Sequence, residues 1–276
     1  MLDNQNIKNS DISIILLLYN TPEKKLKNLS NYKDFNILIL DQGNDLITKE
    51  KVSKILPKII YYKVTDKNNG FAKGINFLSK KIKTKFFLCT QIDVLINKKS
   101  IIELKKAFLR KRDCAISIPN FDKKKKSNFI IKINRFTGAI FLAEKSKFNK
   151  IGGFDENFFF YWEDEDFSRR LQNFKRLNIY KCMNSIAKHN NGNSTLVSPK
   201  TNYIRLSNFK FGELYFQSKY KELKFIKILR EPMKKVILIF FYLFTFQIKL
   251  FYKQIYILIG IIKFYKFKFL EIIKFF

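Results

Sequence analysis

The sequence predicts an α/β fold in which a mostly parallel sheet is flanked by helices and followed by a helical C-terminal appendage. Near-continuous apolar runs of strand length recur in the N-terminal part of the chain, with helical patterns between them, at residues 12–19, 35–40, 59–64 and 86–92. Runs that are apolar on both faces are typical of a parallel sheet covered by helices. After about residue 200 the composition shifts to Phe, Ile, Leu and Tyr punctuated by Lys, which indicates the appendage.

Local signals define further elements. Thr21 is expected to cap a helix whose first position is Pro22. Beyond the fourth apolar run, the pattern predicts a helix at residues 98–112 and strands at residues 115–119, 129–133 and 136–144.

Length and cysteine content bound the class of protein. At 276 residues the chain can bury a good core as one large domain, or as one domain plus an appendage. Cys89, Cys114 and Cys182 form no CxxC pair and no even disulfide set, which favours a reducing compartment. The N-terminus has an acid before its apolar run and no small-residue cleavage site, so no secretory signal is expected, and that run is too short to span a bilayer.

The charge balance is strongly basic. Lys and Arg number 54 against 23 Asp and Glu, which gives a net charge of +31 and a pI near 9.9. This balance suits a polyanionic partner such as nucleic acid, anionic lipid or a phosphorylated substrate. The alternative is a biased composition, rich in Lys, Ile, Asn and Phe, whose lysines are simply solvated.

Polar residues follow the apolar runs. Ligands of such sheets bind beyond the carboxyl ends of the strands, and three of the four runs are followed there by an acid, namely Asp41, Asp66 and Asp93. Asn20 follows the first run. Single acids are also common in turns for local hydrogen-bonding reasons, but their repetition favours a binding site.

The stretch "GGFDENFFFYWEDEDFSRRL", residues 152–171, concentrates the scarce acids. A helix is predicted from Glu163, because Phe167, Leu171 and Phe174 give one apolar stripe. The acids at 163–166 would lie in its first turn, where the helix dipole favours negative charge. The arginines at 169 and 170 stand four residues after the last two acids, which is salt-bridge spacing.

Five aromatic residues at 158–162 lead directly into these acids. A carboxylate at a helix start, beside an aromatic wall that limits water, is suited to act as a general base. Glu163 and Asp166 share one face of the helix, whereas Asp164 points elsewhere, so Asp164 is the candidate base. The alternative is structural, with acids that only cap the helix and pair with arginines.

The stretch resembles the acceptor-side motif of family 2 glycosyltransferases of the rhamnosyltransferase-like kind, with its Gly-Gly-Phe-Asp-Glu lead-in and Glu-Asp-x-Asp signature. Further pieces stand in the family's order: "LLLYN", "LILDQGND", "NNGFAKGIN", "QIDV" and "KHNNGNST". The resemblance covers about residues 12–195. It implies a GT-A type nucleotide-binding domain over residues 1–200, followed by an amphipathic helical tail over 201–276.

The resemblance also implies roles for individual residues. The nucleotide-sugar donor would be contacted by Asn20, Asp41, Asn69, Gly70, Lys73 and Asn76. Gly70 and Gly74 would allow close approach of the backbone to the donor. Asp93 would hold a divalent cation, Mg²⁺ or Mn²⁺, on the diphosphate, with Gln91 in place of the first acid of the usual metal motif. His189, the only histidine, would lie near the cation, although a lone histidine can also be structural.

The implied reaction is inverting transfer of a sugar from a nucleotide-sugar to a hydroxyl of a glycan or lipid-linked acceptor, in surface polysaccharide synthesis, with Asp164 as base. Two alternatives stay open: a basic nucleic-acid-binding protein and a catalytically silent scaffold. No nucleic acid partner is expected, because the aromatic residues cluster with acids or in the tail and no nucleic-acid motif is present.

The tail suggests contact with a membrane surface. Its apolar run at 236–248 is about 13 residues, short of the roughly 20 needed to span. Continuing the run to residue 262 would place Lys249 and Lys253 in mid-membrane. We therefore expect helices that lie in the interface of an anionic membrane, peripherally, on the cytoplasmic face of a bacterial inner membrane. Buried core helices or an oligomer contact are the alternative.

Overall fold

The computed structural model describes residues 9–43, 46–189, 195 and 197–273, and the chain divides into two compact units. The first unit comprises Met1–Asn157 and Glu163–Leu196. The second comprises Phe158–Trp162 and Val197–Phe276. The aromatic segment 158–162 therefore belongs to the C-terminal unit, although it is flanked on both sides by residues of the first.

In the first unit the described residues form a nine-stranded sheet of order β3-β2-β1-β4-β8-β6-β9-β5, with β7 also paired to β9. The strands are β1 (Ile12–Leu18), β2 (Asn36–Asp41), β3 (Ile59–Val64), β4 (Phe86–Thr90), β5 (Val94–Ile96), β6 (Cys114–Asn120), β7 (Ile130–Ile133), β8 (Ile140–Glu144) and β9 (Asn178–His189).

The sheet is mixed, and not mostly parallel as predicted. Strands β3, β2, β1 and β4 are parallel to one another, as the four apolar runs indicated. Strand β8 is antiparallel to both β4 and β6. Strand β9 is parallel to β6 but antiparallel to β5 and β7. A short apolar run does not specify the direction of its neighbour, so the second half of the sheet could not be oriented from the pattern.

The core explains why the first runs are apolar on both faces. All five residues of β4 are buried, and in β1 Ile12, Ile14 and Leu16 have no exposed surface. Burial of one such side chain stabilises the fold by about 1.5–3 kcal/mol. Strand β3 is less buried and lies at the edge of the sheet.

Six helices of the first unit are described: α1 (Glu23–Leu26), α2 (Leu46–Ile55), α3 (Phe71–Lys81), α4 (Lys98–Arg110), α5 (Lys145–Lys150) and α6 (Glu163–Gln172). The expected Thr21 cap is wrong: the N-cap of α1 is Pro22, with no side-chain cap hydrogen bond. Helix α4 ends two residues before the predicted residue 112, because Lys111 is extended, with φ −130° and ψ 98°.

The second unit is helical, with α7 (Pro199–Lys219), α8 (Phe225–Phe244) and α9 (Ile248–Ile273). Ser198 and Thr201 form a capping box at the start of α7. Helices α7 and α9 pack closely, since a Cβ on Gly260 would lie 2.4 Å from the carbonyl oxygen of Ser207. Leu214, Ile261 and other apolar residues form the core of this unit.

Helix α8 has no buried residue, and its apolar side chains, including Phe240 and Phe244, are exposed. Among the described residues, none of the helices combines the length and the apolar character that a membrane span requires.

Candidate functional site

Three predicted site residues lie together at one edge of the sheet. Asp41 closes β2, Asn20 follows β1 and Asp93 follows β4. Since β1 lies between β2 and β4, with Leu18 paired to Asp41 and Leu16 paired to Thr90, the three strands end at the same edge. This is the crevice beyond the strand ends in which α/β sheets bind ligands.

Asp41 is 2% exposed and is held in one orientation. Its Oδ1 accepts from the backbone nitrogen of Gly43 at 2.9 Å, and its Oδ2 accepts from the hydroxyl of Tyr62 at 2.9 Å. A Cβ on Gly43 would stand 3.0 Å from the backbone nitrogen of Asn20. Asn20, which has a positive φ of 44°, therefore lies against the turn that follows Asp41.

Gln42 joins this turn to the glycine-rich loop. Its Oε1 accepts from the backbone nitrogen of Asn69 at 2.8 Å, and its Nε2 donates to the carbonyl of Gly70 at 3.4 Å. Gln42 is itself 4% exposed. The sequence analysis assigned no role to Gln42, whereas in the structure it positions two predicted donor-contacting residues.

The two glycines of the loop have different reasons to be glycine. Gly70, with φ 87° and ψ 171°, adopts a conformation that is essentially restricted to glycine. A Cβ on Gly74 would meet both methyl groups of Leu17 at 2.9 Å. Gly74 thus permits α3 to pack on β1, and the expectation that it admits the donor is replaced by this packing role. Lys73, in the first turn of α3, is exposed.

Asn76 acts as a clamp on a distant loop. Its Nδ2 donates to the carbonyl of Phe154 at 2.8 Å, and its Oδ1 accepts from the backbone nitrogen of Phe154 at 2.9 Å. Both ends of the buried amide are therefore used to hold the segment that leads into the aromatic run.

Two side chains from the segment after β1 stabilise the turn that carries Asp93. Asn28 donates to the carbonyl of Ile92 at 3.0 Å, and the hydroxyl of Tyr32 lies 3.1 Å from Oγ1 of Thr90. Burial, together with the charge of Asp93, raises the pKa of Tyr32 to about 12, although its bond to Thr90 opposes the shift. Tyr32 thus remains a neutral donor beneath the turn.

Asp93 and His189 are brought together, as the resemblance implied. Asp93 is fully buried, and Nε2 of His189 lies 3.7 Å from its Oδ2. The pairing of Val94 with His189 between β5 and β9 sets this proximity. The described residues contain no group of three or more His, Cys, Asp or Glu side chains able to hold a metal. Two protein ligands still fit a cation that takes its other ligands from phosphate and water.

Asp164 is fixed by backbone donors at the start of α6. Its Oδ2 accepts from the nitrogen of Gly138 at 2.8 Å, and its Oδ1 accepts from the nitrogen of Glu165 at 2.9 Å. Burial raises the pKa of Asp164 above 3.8, against the lowering effect of these bonds. Gly138 stands two residues before Ile140, which pairs with Thr90 at the end of β4, so Asp164 lies at the same sheet edge as Asp93.

Glu163 is a second buried carboxyl beside Asp164. It is 5% exposed, and its Oε2 has no hydrogen-bond partner among the described residues. Burial and then the charge of Asp164 raise the pKa of Glu163 well above 4.5. The sequence grouped Glu163 with the capping acids and gave no signal for its burial.

The other two acids are structural. Asp166 accepts from Nε of Arg170 at 2.8 Å, and Arg170 also donates to the carbonyls of Ile151 and Gly153. The predicted spacing is confirmed for this pair. Glu165 pairs with Arg135 at 2.8 Å.

The aromatic segment packs within the helical unit. The ring of Phe158 packs on Tyr215 at 4.9 Å, and that of Trp162 packs on Phe216 at 5.3 Å. Phe158 belongs to the core of the helical unit. Packing on α7 therefore accounts for these two rings, and the expected aromatic wall beside Asp164 stays a prediction.

Part of two predicted motifs lies outside the described residues. These are Asn44 and Asp45 of "LILDQGND" and residues 190–194 of "KHNNGNST".

Residues 13–176 match the family "Glycosyl transferase family 2", which is more than half of the chain, and the chain belongs to this family. No curated protein matches it. Among solved structures, the chain is similar to "GalNAc-T7 with UDP, GalNAc and Mn2+", with 12% identity, a TM-score of 0.55, and coverage of 76% of this chain and 48% of that one.

It is also similar to "Mannosyltransferase PcManGT from Pyrobaculum calidifontis in complex with GDP-Man and Mn2+", with 13% identity, a TM-score of 0.55, and coverage of 78% of this chain and 65% of that one. The chain thus spans about half of the first neighbour and just under two thirds of the second. At these identities the likeness concerns the fold, a GT-A-like α/β domain with a mixed sheet flanked by helices.

Proposed function

We propose that this glycosyltransferase transfers a sugar with inversion from a nucleoside-diphosphate donor to a hydroxyl of a glycan or lipid-linked acceptor. The observation that carries the proposal is Asp164, a carboxylate held by two backbone amides at the sheet edge that also carries Asp41 and Asp93. The two structural neighbours, whose titles give UDP with GalNAc and GDP-Man, support a nucleotide-sugar donor.

Asp41, Asn20 and the Asn69–Gly70 loop would contact the donor, with Lys73 near its phosphates. Asp41 has both carboxylate oxygens oriented by protein donors. Asn76 and Gln42 would act indirectly. Their side-chain amides hydrogen-bond the backbone around these contacts and so position it. The donor site is thereby rigid before the donor binds, which lowers the entropy cost of binding.

Asp164 would accept the proton of the acceptor hydroxyl as that oxygen attacks the anomeric carbon. Its two backbone bonds leave further lone pairs on the carboxylate, so it can accept this proton without losing its position. Its raised pKa makes Asp164 a stronger base than an exposed aspartate. Holding base and acceptor in this geometry supplies much of the rate.

Asp93 and His189 would hold a divalent cation, Mg²⁺ or Mn²⁺, which would neutralise charge on the leaving diphosphate. The fit rests on a fully buried carboxylate with an imidazole nitrogen 3.7 Å away. Both structural neighbours are described with Mn²⁺. Gln91, at the position of the first acid of the metal motif, leaves Asp93 as the acidic ligand of this turn.

The finer assignments rest on the sequence motif and on the C-terminal unit. The rhamnosyltransferase-like signature at 152–171 favours a deoxyhexose or hexose donor and a role in surface polysaccharide synthesis. The exposed apolar side chains of α8, in a strongly basic chain, favour peripheral contact with an anionic membrane surface. We place the protein on the cytoplasmic face of a bacterial inner membrane.

Calorimetry with UDP, GDP, CDP and dTDP, with and without Mn²⁺, tests the donor site. One nucleotide is expected to bind in the micromolar range, and Asp93→Ala should weaken binding with Mn²⁺ present but hardly without it. Asp34→Ala, at an exposed acid that precedes β2, is the matched control. Absence of nucleotide binding to folded protein under every condition would contradict the proposal.

A further inference from the structure

The C-terminal unit contains a groove between α7 and α9 that the proposed reaction has not used. Its cavity volume is about 860 Å³. Arg205 and Phe209 of α7 line one wall, and Lys249 and Lys253 of α9 line the other. The groove is large enough for a substituted sugar or a phosphate with part of a hydrocarbon chain.

The charge of the groove is one-sided. Arg205, Lys249 and Lys253 line it, and no acid is among its described lining residues. Three cations that converge on one cavity favour an anion, and phosphate suits the planar donor fork of arginine.

Aromatic rings form the remainder of the lining. The ring of Tyr161 packs on Phe209 with centroids 5.5 Å apart, and Tyr256 packs on Tyr203 at 5.7 Å. Phe209 is 46% exposed, so its ring is available to a ligand. Such rings offer apolar faces to a sugar ring or a hydrocarbon chain. The groove therefore matches a molecule that is anionic at one end and apolar or glycosidic beside it.

We propose that this groove binds the phosphate of a lipid-linked acceptor, with Arg205, Lys249 and Lys253 contacting the phosphate. The inference rests on the proposed glycosyl transfer and names the acceptor class for it. Tyr161, a lining residue of the groove, stands three residues before the proposed base Asp164 in the sequence. In the same unit, the exposed apolar residues of α8 are suited to the lipid part of the acceptor.

Trp162, the only tryptophan of the chain, provides the readout. Its ring lies 5.7 Å from that of Phe209, a lining residue of the groove. Titration of the full chain with dodecyl phosphate, below its micelle concentration, should change Trp162 emission saturably. Inorganic phosphate and the neutral dodecyl maltoside should each bind about tenfold more weakly or worse.

Lys249→Glu and Lys253→Glu should each weaken dodecyl phosphate binding about tenfold or more, whereas Lys266→Glu, an exposed lysine of α9 outside the groove, should not. An equal loss with Lys266→Glu would overturn the proposal, because the weaker binding would then reflect the net charge of the protein and not contacts in the groove. Vesicles containing phosphatidylglycerol separate the two sources of phosphate. If Lys249→Glu weakens vesicle binding as much as dodecyl phosphate binding, the groove is a headgroup site and the acceptor assignment is overturned.

Calorimetry of nucleotide binding on the same samples distinguishes the two levels of the proposal. Nucleotide binding without saturable dodecyl phosphate binding overturns the groove alone. Dodecyl phosphate binding without nucleotide binding overturns the proposed glycosyl transfer instead, and with it the acceptor role of the groove.

Discussion

The carboxylate of Asp164 accepts a hydrogen bond from the backbone nitrogen of Gly138 at 2.8 Å, which ties the first turn of α6 to the segment preceding β8. Because a backbone donor makes this bond, this contact of Asp164 does not depend on a second side chain. It depends instead on the register between β8 and β4, where Ile140 pairs with Thr90. Asp164 and the end of β4 are therefore positioned by the same ladder.

Asp164→Asn should reduce turnover about 10²- to 10⁴-fold, because the amide cannot accept the proton while it keeps the shape of the side chain. Nucleotide affinity should change little. In the wild type, turnover should fall as the pH falls through the raised pKa of Asp164, since a protonated carboxyl is no base. Initial rates of nucleoside diphosphate release, compared with those of the exposed control Asp34→Asn, measure both effects. Unchanged turnover in Asp164→Asn would exclude it as the base.

Glu163→Gln should be more stable than the wild type near neutral pH, and this advantage should shrink towards acid pH. The pKa of Glu163 is raised in the folded state, so above pH 4.5 the unfolded chain releases a proton that the folded chain keeps. The contribution of Glu163 to wild-type stability is therefore fully present below pH 4.5 and is progressively lost as the pH rises. Urea unfolding at several pH values measures the difference in unfolding free energy between the wild type and Glu163→Gln, with the exposed Glu50→Gln as control. A pH-independent difference would argue against a buried protonated carboxyl.

Gln42→Ala should weaken nucleotide binding and destabilise the first unit by about 1–3 kcal/mol, because the nitrogen of Asn69 and the carbonyl of Gly70 lose their partner. Gln42→Glu should recover part of the effect, since a carboxylate still accepts from Asn69 but cannot donate to Gly70. Calorimetry and urea unfolding are the measurements, with the exposed Gln172→Ala as control. A loss of stability with unchanged affinity would assign Gln42 to the core alone.

Gly70→Ala should destabilise the protein by about 1–3 kcal/mol and weaken nucleotide binding, because φ 87° with ψ 171° is strained for any residue with a Cβ. Gly74→Ala should also lower stability, but through its clash with Leu17. Leu17→Ala should therefore relieve Gly74→Ala and leave Gly70→Ala unchanged. Double-mutant analysis of unfolding free energies tests this, and relief of both by Leu17→Ala would contradict the distinction.

The first half of the fold could be predicted because β1, β2 and β4 are buried on both faces and so appear as continuous apolar runs. Asp41 and Asp93 could be placed for the same reason, since each follows such a run. Gly138 could not be found, because it acts through its backbone nitrogen, which every residue except proline also has. Long-range bonds of this kind leave no spacing pattern in the sequence.

The aromatic run at 158–162 shows the opposite case, a strong signal whose packing partners the sequence did not reveal. Its position before the acids suggested a wall around Asp164, and in the structure Phe158 and Trp162 pack on α7. Sequence proximity could not show that these residues belong to the C-terminal unit. Glu163 was underestimated for a related reason, since burial of an acid depends on what surrounds it and not on its neighbours in the chain.

Strand β9 limits where the sequence of this protein can gain or lose residues during evolution. It runs twelve residues, from Asn178 to His189, and it pairs with β6 and β7 before its last residue meets Val94, next to Asp93. An insertion or deletion of one residue near the end of β9 would direct the imidazole of His189 to the opposite face of the sheet. Tolerance to changes of length should therefore be high in the surface turns of the first unit and nearly absent along β9.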